Sequence, residues 1–224
     1  KVTGSRVKWS GTFTNKGSYK SDPSENFFDT LIIESTGFLE GGAGDLFSIA
    51  GDFFNSSVQS SLWQTLAATL EFTESGGHRF DFAGLDLGAF SLGYANNFAW
   101  GELEIDPGVE LFIFDGNPGM PGAAFYTSIF DLVGHDLWRL ASIHSDFNIY
   151  YDPTVLENAY LQDRNYQLNG AGCLIAIGNF SACIRVAVPE PDTLVLLGIA
   201  LGGLWLRRSG SAGRVRCIGR ILWR

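Results

Sequence analysis

Three acids in alternating positions, Glu102, Glu104 and Asp106, have the types and spacing that come closest to chemistry in this chain. They alternate with Leu103 and Ile105, so in a β-strand the carboxylates share one face and the aliphatic side chains share the other. Carboxylate pairs serve polysaccharide-cleaving enzymes, and carboxylate oxygens are ligands of Ca²⁺. An ordinary amphipathic strand that keeps its acids in water has the same pattern. We prefer this second interpretation, because neither a basic residue nor a histidine accompanies the acids.

A nucleophilic triad would have to use one of the three histidines, His78, His135 and His144. His144 lies between Ser142 and Ser145, but the chain has no Gly-x-Ser-x-Gly turn, and neighbours in sequence do not make a triad. We therefore predict surface or turn histidines, no catalytic residue, and a protein that is not an enzyme.

Metal and cofactor motifs are also weak. The loop that begins Asp115-Gly-Asn117 resembles the start of a calcium loop, yet the alternate ligands and the closing Glu are missing. Phosphate-binding glycine loops, zinc spacings of Cys and His, and dinucleotide fingerprints are absent from the sequence. We predict no metal site and no cofactor.

Charge argues against a nucleic-acid partner. The chain has 15 basic and 24 acidic residues, a net charge of −9, and six of its arginines follow Leu206. The part before Leu206 therefore has nine basic residues against 24 acids. Such a surface repels phosphate backbones.

Composition predicts a mostly β body. Aromatic residues make up 14% of the chain and charged residues only 17%, and there are 28 glycines. Short alternating segments are separated by small polar corners, as at 51–57, and recur irregularly, which is typical of the coils of a β-solenoid. We favour a right-handed parallel β-helix; an antiparallel sandwich or jelly roll is the alternative, since similar strand spacing serves both.

The C-terminal part of the body differs from the rest. Apolar residues within 128–143 predict a short helix or turn before a strand at 147–151, and residues 154–160 predict one or two helical turns.

Three segments of different chemistry follow near the end of the chain. They are Val188, Pro189, Glu190 and Pro191, then an apolar run at 194–206, then Arg207 and Arg208. The prolines keep their segment extended, so that an enzyme can bind it. The apolar run partitions into lipid, and the arginines remain on the cytoplasmic side.

The length of the apolar run leaves two interpretations open. Residues 193–206 span about 21 Å as a helix, against about 30 Å of hydrocarbon, so a buried core helix competes with a membrane anchor. Apolar side chains occur all round the helix, and the following segment has six arginines and no acid, which favours the membrane. We expect a hydrophobic C-terminal helix anchored through Leu194, Leu196, Leu197, Leu201, Leu204 and Trp205.

The order of these segments resembles the PEP-CTERM sorting signal of Gram-negative bacteria. That pattern of V-P-E-P, then T-L, L-L-G, small residues and paired Arg is met at Val188–Pro191, Thr193, Leu194, Leu196, Leu197, Gly198, Leu201, Gly203, Leu204, Arg207 and Arg208. Family members usually end soon after the arginines, whereas this chain continues to Arg224.

The resemblance implies export, temporary anchoring in the inner membrane through 194–206, and cleavage near Pro189-Glu190-Pro191 by an exosortase. It divides the chain into an exported β-rich domain at 1–187, a sorting signal at 188–208, and a basic extension at 209–224 without an assigned role. No apolar leader is present after Lys1, so we expect a mature form or a fragment.

We therefore expect a non-enzymatic exported protein of the cell surface or extracellular matrix. Its expected partners are the exosortase and the inner membrane, with exopolysaccharide as a further candidate. The acidic, aromatic-rich body leaves a second hypothesis open, a carbohydrate-binding or polysaccharide-acting extracellular module.

Two cysteines flank a predicted turn. Cys173 and Cys183 lie ten residues apart around residues 177–180. In an oxidising compartment this spacing favours a cross-strand disulfide, and two buried thiols are the alternative.

Overall fold

The computed structural model describes residues 1–118 and 122–187. Strands make up 49% of it and helical turns 9%, so the prediction of a mostly β chain is confirmed. All described residues belong to the first of two compact units, Lys1–Val188. The predicted hydrophobic helix, the sorting motif and the arginine pair lie outside the described residues.

Sixteen strands are formed within these ranges. They are β1 (Val2–Thr3), β2 (Arg6–Asn15), β3 (Ser18–Asp22), β4 (Glu25–Ile33), β5 (Phe38–Glu40), β6 (Leu46–Ile49), β7 (Phe53–Asn55), β8 (Thr65–Phe72), β9 (Gly76–Phe82), β10 (Trp100–Ile105), β11 (Val109–Asp115), β12 (Ala124–Leu132), β13 (Ile143–His144), β14 (Asn148–Tyr151), β15 (Tyr166–Gln167) and β16 (Cys173–Ala176).

The strands form a curled mixed sheet of 13 strands and a smaller sheet of three, β1-β3-β5. Every strand pair in the described part of the chain is parallel except β15 with β16. The alternative of an antiparallel sandwich or jelly roll is therefore wrong. Those folds pair antiparallel neighbours, whereas parallel neighbours require the chain to cross back before each pairing.

Strand β4 is the centre of the large sheet. Its first half pairs with β6, and its second half pairs with β7. The even-numbered strands β6 to β14 continue the sheet on one side, and the odd-numbered strands β7 to β13 continue it on the other. The chain thus alternates between two halves of one curled sheet.

The core consists of inward side chains that repeat in register along both halves. On one half the aligned row is Phe28, Ile49, Phe72, Ile105 and Leu132. On the other half, Phe53 and Phe80 stack with ring centroids 5.5 Å apart. All seven belong to one buried cluster, and each buried side chain of this size contributes about 1.5–3 kcal/mol of transfer free energy. Alternation with period two in the sequence therefore produces a single core.

Three short 3-10 helices interrupt the strands, at Ser91–Tyr94, Leu137–Ser142 and Leu156–Leu161. The predicted helical turns after residue 154 are present, and the short helix predicted within 128–143 covers Leu137–Ser142, whereas residues 128–132 belong to β12. Phe130 and Leu132 point inward there and align with Leu103 and Ile105 of β10. Within the described ranges, no helix has the length and apolar composition needed to cross a membrane.

The described part ends in a cross-linked turn. Cys173 and Cys183 are joined by a disulfide with their Cα atoms 6.3 Å apart. Beyond it, Ile184 forms a parallel bridge with Tyr166, so the last residues before the sorting motif are held to the sheet.

We expect loss of this disulfide to lower stability, because it closes a loop in the unfolded chain. A Cys173→Ser, Cys183→Ser chain should lose about 2–3 kcal/mol of unfolding free energy. Peptide mass spectrometry without reduction should find the two residues linked in the exported protein, and denaturant unfolding measures the loss. Alkylation of both thiols in exported protein would contradict the pairing.

Candidate functional site

The parallel register brings three acids from separate segments together on the outer face of the sheet. Glu71 of β8, Glu104 of β10 and Asp131 of β12 occupy aligned positions on consecutive strands. We call these three residues the acidic ladder. Neighbouring strands lie about 4.8 Å apart, so like charges at one register destabilise each other.

A fourth acid and a buried arginine lie at the C-terminal end of β10, the strand that carries the middle member of the ladder. Asp106 follows the last residue of β10, and its backbone oxygen accepts a hydrogen bond from Arg139. The same guanidinium donates to Ile105 O at 2.9 Å and to Val133 O at 2.7 Å. Arg139 is buried, so its donors stabilise three strand-end carbonyls, and its charge lies close to Asp106.

Glu104, the middle member of the ladder, has a raised pKa. Burial is the largest of the causes that raise the pKa of the Glu104 carboxyl to about 7, and the charges of Glu71, Glu102, Asp131 and Asp106 follow in that order. Desolvation and like charges both disfavour the ionised form. The group therefore titrates near neutral pH, where an ordinary surface glutamate is fully ionised.

Two kinds of chemistry fit this arrangement. Carboxylate oxygens of Glu71, Glu104 and Asp106 lie within 4.8 Å of one another, which is a spacing that a divalent cation can bridge. Alternatively, the acids can share protons. One oxygen of Asp131 is buried without a hydrogen-bond partner, and Nε2 of His135 lies 3.4 Å from it.

The acids predicted as one row are divided by the structure. Glu104 and Asp106 belong to the cluster, whereas Glu102 accepts a 2.8 Å hydrogen bond from Thr69 Oγ1. As predicted, all three are on the side opposite the buried Leu103 and Ile105. Sequence reasoning missed Glu71 and Asp131, because only the register of the parallel strands places them beside Glu104.

The three histidines have separate surroundings. His78 is buried, with its ring nitrogens 2.8 Å from Gly51 O and from Glu74 O, so it connects two segments of backbone. His135 is exposed and stacks on Tyr160, with ring centroids 4.3 Å apart. Burial of one and stacking of the other give both histidines packing roles.

His144 is the histidine with neighbouring serines. Its Nε2 lies 2.7 Å from a carboxylate oxygen of Glu110, and its ring stacks on Phe112 at 4.4 Å. Ser142 Oγ donates to Arg139 O, and Ser145 Oγ donates to Phe147 O. Both hydroxyls are thus engaged with backbone carbonyls and not with the imidazole.

The loop after β11 is a local turn. Asn117 N donates to Asp115 Oδ1 at 2.7 Å, and Asn117 Nδ2 donates to Ser57 O at 2.7 Å. These bonds are those of an Asx turn tied to a neighbouring segment. Residues 119–121, in which the loop continues, lie outside the described residues.

In the comparison with known proteins, the C-terminal segment of the chain matches a known family. Residues 187–208 match the family model of the PEP-CTERM protein-sorting motif. No curated protein and no solved structure matches the chain.

The β-rich body is therefore joined to a segment that addresses proteins to the cell surface. This is a PEP-CTERM sorting domain-containing protein. The motif implies export, sorting to the cell surface and processing by an exosortase.

Proposed function

We propose that the protein is a non-enzymatic component of the cell surface or extracellular matrix. In this proposal the apolar run at 194–206 anchors it in the inner membrane as an intermediate, and an exosortase then cuts near Pro189-Glu190-Pro191. The match of residues 187–208 to the sorting motif carries the proposal. The order of the proline pair, the apolar run and the two arginines within the same residues suits this role physically.

We further propose that the body is a right-handed parallel β-helix. The parallel pairing of β4, β6, β8 and β10, each further along the chain than the last, supports this architecture. Parallel crossovers within one sheet are right-handed in nearly all proteins. In a β-helix each segment is buried by its neighbours alone, so the body can extend in one direction. An elongated body of this kind suits a matrix component.

The charge of the body supports release into an aqueous layer. Residues 1–187 contain nine basic and 22 acidic residues, a net charge of −13. Such a charge favours solubility and opposes self-association. Exopolysaccharide is the further partner that we propose for the released body.

Fractionation of a tagged chain with a signal peptide tests the sorting proposal. In a host that has the exosortase, we expect a shortened product outside the inner membrane; in a host without it, we expect the full-length chain in the membrane. A Leu197→Asp, Ile199→Asp chain should instead fail to anchor, because each central acid costs about 2.5–3.5 kcal/mol on the insertion scale. Full-length protein in the membrane of both hosts would contradict processing, and membrane retention of the double variant would contradict anchoring.

A carbohydrate-binding module is the second candidate, favoured by one observation. On the outer face of β7, β9 and β11, the guanidinium of Arg79 lies 4.4 Å from the ring centroid of Phe114 and 5.2 Å from that of Phe54. Phe114 is half exposed, and Asp81 binds the same guanidinium through both carboxylate oxygens. Exposed rings beside planar polar groups offer stacking and hydrogen bonds to a sugar ring.

Affinity electrophoresis on secreted polysaccharide separates the two candidates. Saturable retardation that is lost in Phe114→Ala but kept in Phe180→Ala would favour the carbohydrate-binding module. Retardation of all three chains alike would favour the structural component with exopolysaccharide as its partner. Equal mobility of all three with and without polysaccharide would contradict both that partner and the carbohydrate-binding module.

A further inference from the structure

Three of the most exposed apolar side chains in the described residues are close to one another, two of them in sequence and two of them in space. Phe90, Leu92 and Phe180 have 55%, 66% and 71% of their surface exposed, and the rings of Phe90 and Phe180 are 5.4 Å apart. Leu92 follows Phe90 in the 3-10 helix that Phe90 caps. We call these three residues the apolar tip.

The tip is held by tight packing. Its 3-10 helix lies against Tyr126: a Cβ on Gly93 would be 1.9 Å from the Tyr126 ring. On the other side, Gly178 N donates to Ala89 O at 2.9 Å, which ties the segment of Phe180 to that of Phe90. The disulfide between Cys173 and Cys183 closes the same segment. The backbone that carries these exposed apolar side chains is therefore held in place.

The segments that form the tip lack charge. Residues 87–101 and 165–184 contain no Lys, Arg, Asp or Glu, although the body as a whole has a net charge of −13. The second segment is bracketed by two arginines, Arg164 and Arg185. An acidic body is repelled by the anionic surface of a bacterial membrane, so its charge-free segments, bordered by Asp86 and Asp163 as well as by the two arginines, oppose approach least.

The tip and the proposed anchor are close in sequence. Ile184 is the last bridged residue of the body, and Leu194 begins the apolar run ten residues later. A fully extended chain of ten residues spans at most about 36 Å. Phe180 precedes Ile184 by four residues, so only 14 residues of chain separate Phe180 from the start of the apolar run.

We propose that the apolar tip inserts into the headgroup region of the membrane that holds the tail, and keeps the body against that surface while the sorting motif is processed. Phenylalanine and leucine side chains of this kind insert at the boundary between headgroups and acyl chains. Three side chains offer far less than the roughly 800 Å² per partner of a stable dimer, so lipid is favoured over a second copy of the chain. The inference rests on the proposed anchoring.

A tethered full chain tests the tip without depending on the anchor. Leu197→Asp and Ile199→Asp disable the apolar run, and a C-terminal histidine tag binds the chain to nickel-chelating lipid in phosphatidylcholine and phosphatidylglycerol vesicles. An environment-sensitive thiol dye is placed by Leu92→Cys in a Cys217→Ser background. The matched control is Val58→Cys, because Val58 is 61% exposed and lies outside the tip.

We expect dye emission at residue 92 to rise about two-fold on tethering and at residue 58 to stay unchanged. Phe90→Ser with Phe180→Ser should reduce the rise at residue 92. Equal responses at the two positions would overturn the proposal. A rise that follows protein concentration without vesicles would also overturn it, in favour of a second copy of the chain.

Flotation of the unsubstituted chain with the same vesicles separates this inference from the proposed function. Failure to float, with the dye response retained, contradicts anchoring alone. Flotation without a difference between the two dye positions contradicts the apolar tip alone.

Discussion

A chain with Glu190→Ala is expected to stay at full mass in the membrane of a host that has the exosortase. The substitution leaves the apolar run at 194–206 and both following arginines intact, so anchoring is unaffected. It removes the only charge between the two prolines, which hold the segment extended for the peptidase. We expect cleavage to slow at least about ten-fold, which corresponds to about 1.4 kcal/mol in the activation free energy. Pulse-labelling followed by mass and compartment analysis measures the rate.

The matched control is Glu157→Ala, which removes the same charge from an exposed position in the 3-10 helix at Leu156–Leu161. This chain should be processed as fast as the wild type. Processing of the Glu190→Ala chain at the wild-type rate would count against recognition of the motif through its glutamate. Slow processing of both variants would indicate a general effect of body charge.

The β character of the body could be predicted from local pattern, because it depends on neighbours in sequence. In β10, the alternation of acids with Leu103 and Ile105 predicts an outward and an inward face, and both faces are as expected. Which strands pair with one another could not be predicted in the same way. Glu104 aligns with Glu71 and with Asp131, which lie far from it in the chain, and such registers depend on burial across the whole sheet.

The short helix or turn predicted within 128–143 is present at Leu137–Ser142, but the pattern did not show that residues 128–132 form a strand. A short apolar run has the same composition in a buried strand and in a helix, and periodicity alone does not separate them. In β12, Phe130 aligns with Leu103 and Leu132 aligns with Ile105, so the core of the preceding strand selects the extended form. This packing is invisible in the local sequence.

The apolar tip was present in the sequence as two charge-free segments, 87–101 and 165–184. Each alone is typical of a buried strand or a loop, which is why neither predicted a surface. The two segments are joined in the fold by the hydrogen bond from Gly178 N to Ala89 O and by the contact between Phe90 and Phe180.

Glu104→Gln is expected to stabilise the protein at pH 8 and to leave its stability almost unchanged at pH 4. The folded protein raises the pKa of Glu104 from 4.5 to about 7, so the folded state binds more protons than the unfolded state between these values. Stability therefore falls as pH rises through that window, and the full loss is present above pH 7. Glutamine has no charge to desolvate or to repel Glu71 and Asp131.

The unfolding temperature of the chain in mild detergent measures this effect. Allowing for partial exposure of Glu104 to solvent, we expect a gain of about 1–3 kcal/mol at pH 8, which raises the unfolding temperature by about 3–10 °C for a domain of this size. Glu157→Gln is the control, because it removes one negative charge away from the ladder and should shift the unfolding temperature little at either pH. Equal unfolding temperatures of Glu104→Gln and wild type at pH 8 would mean that neither burial nor the neighbouring acids destabilise ionised Glu104 in the folded protein. A gain of the same size at pH 4 would indicate that packing of the amide, and not the loss of charge, is the cause.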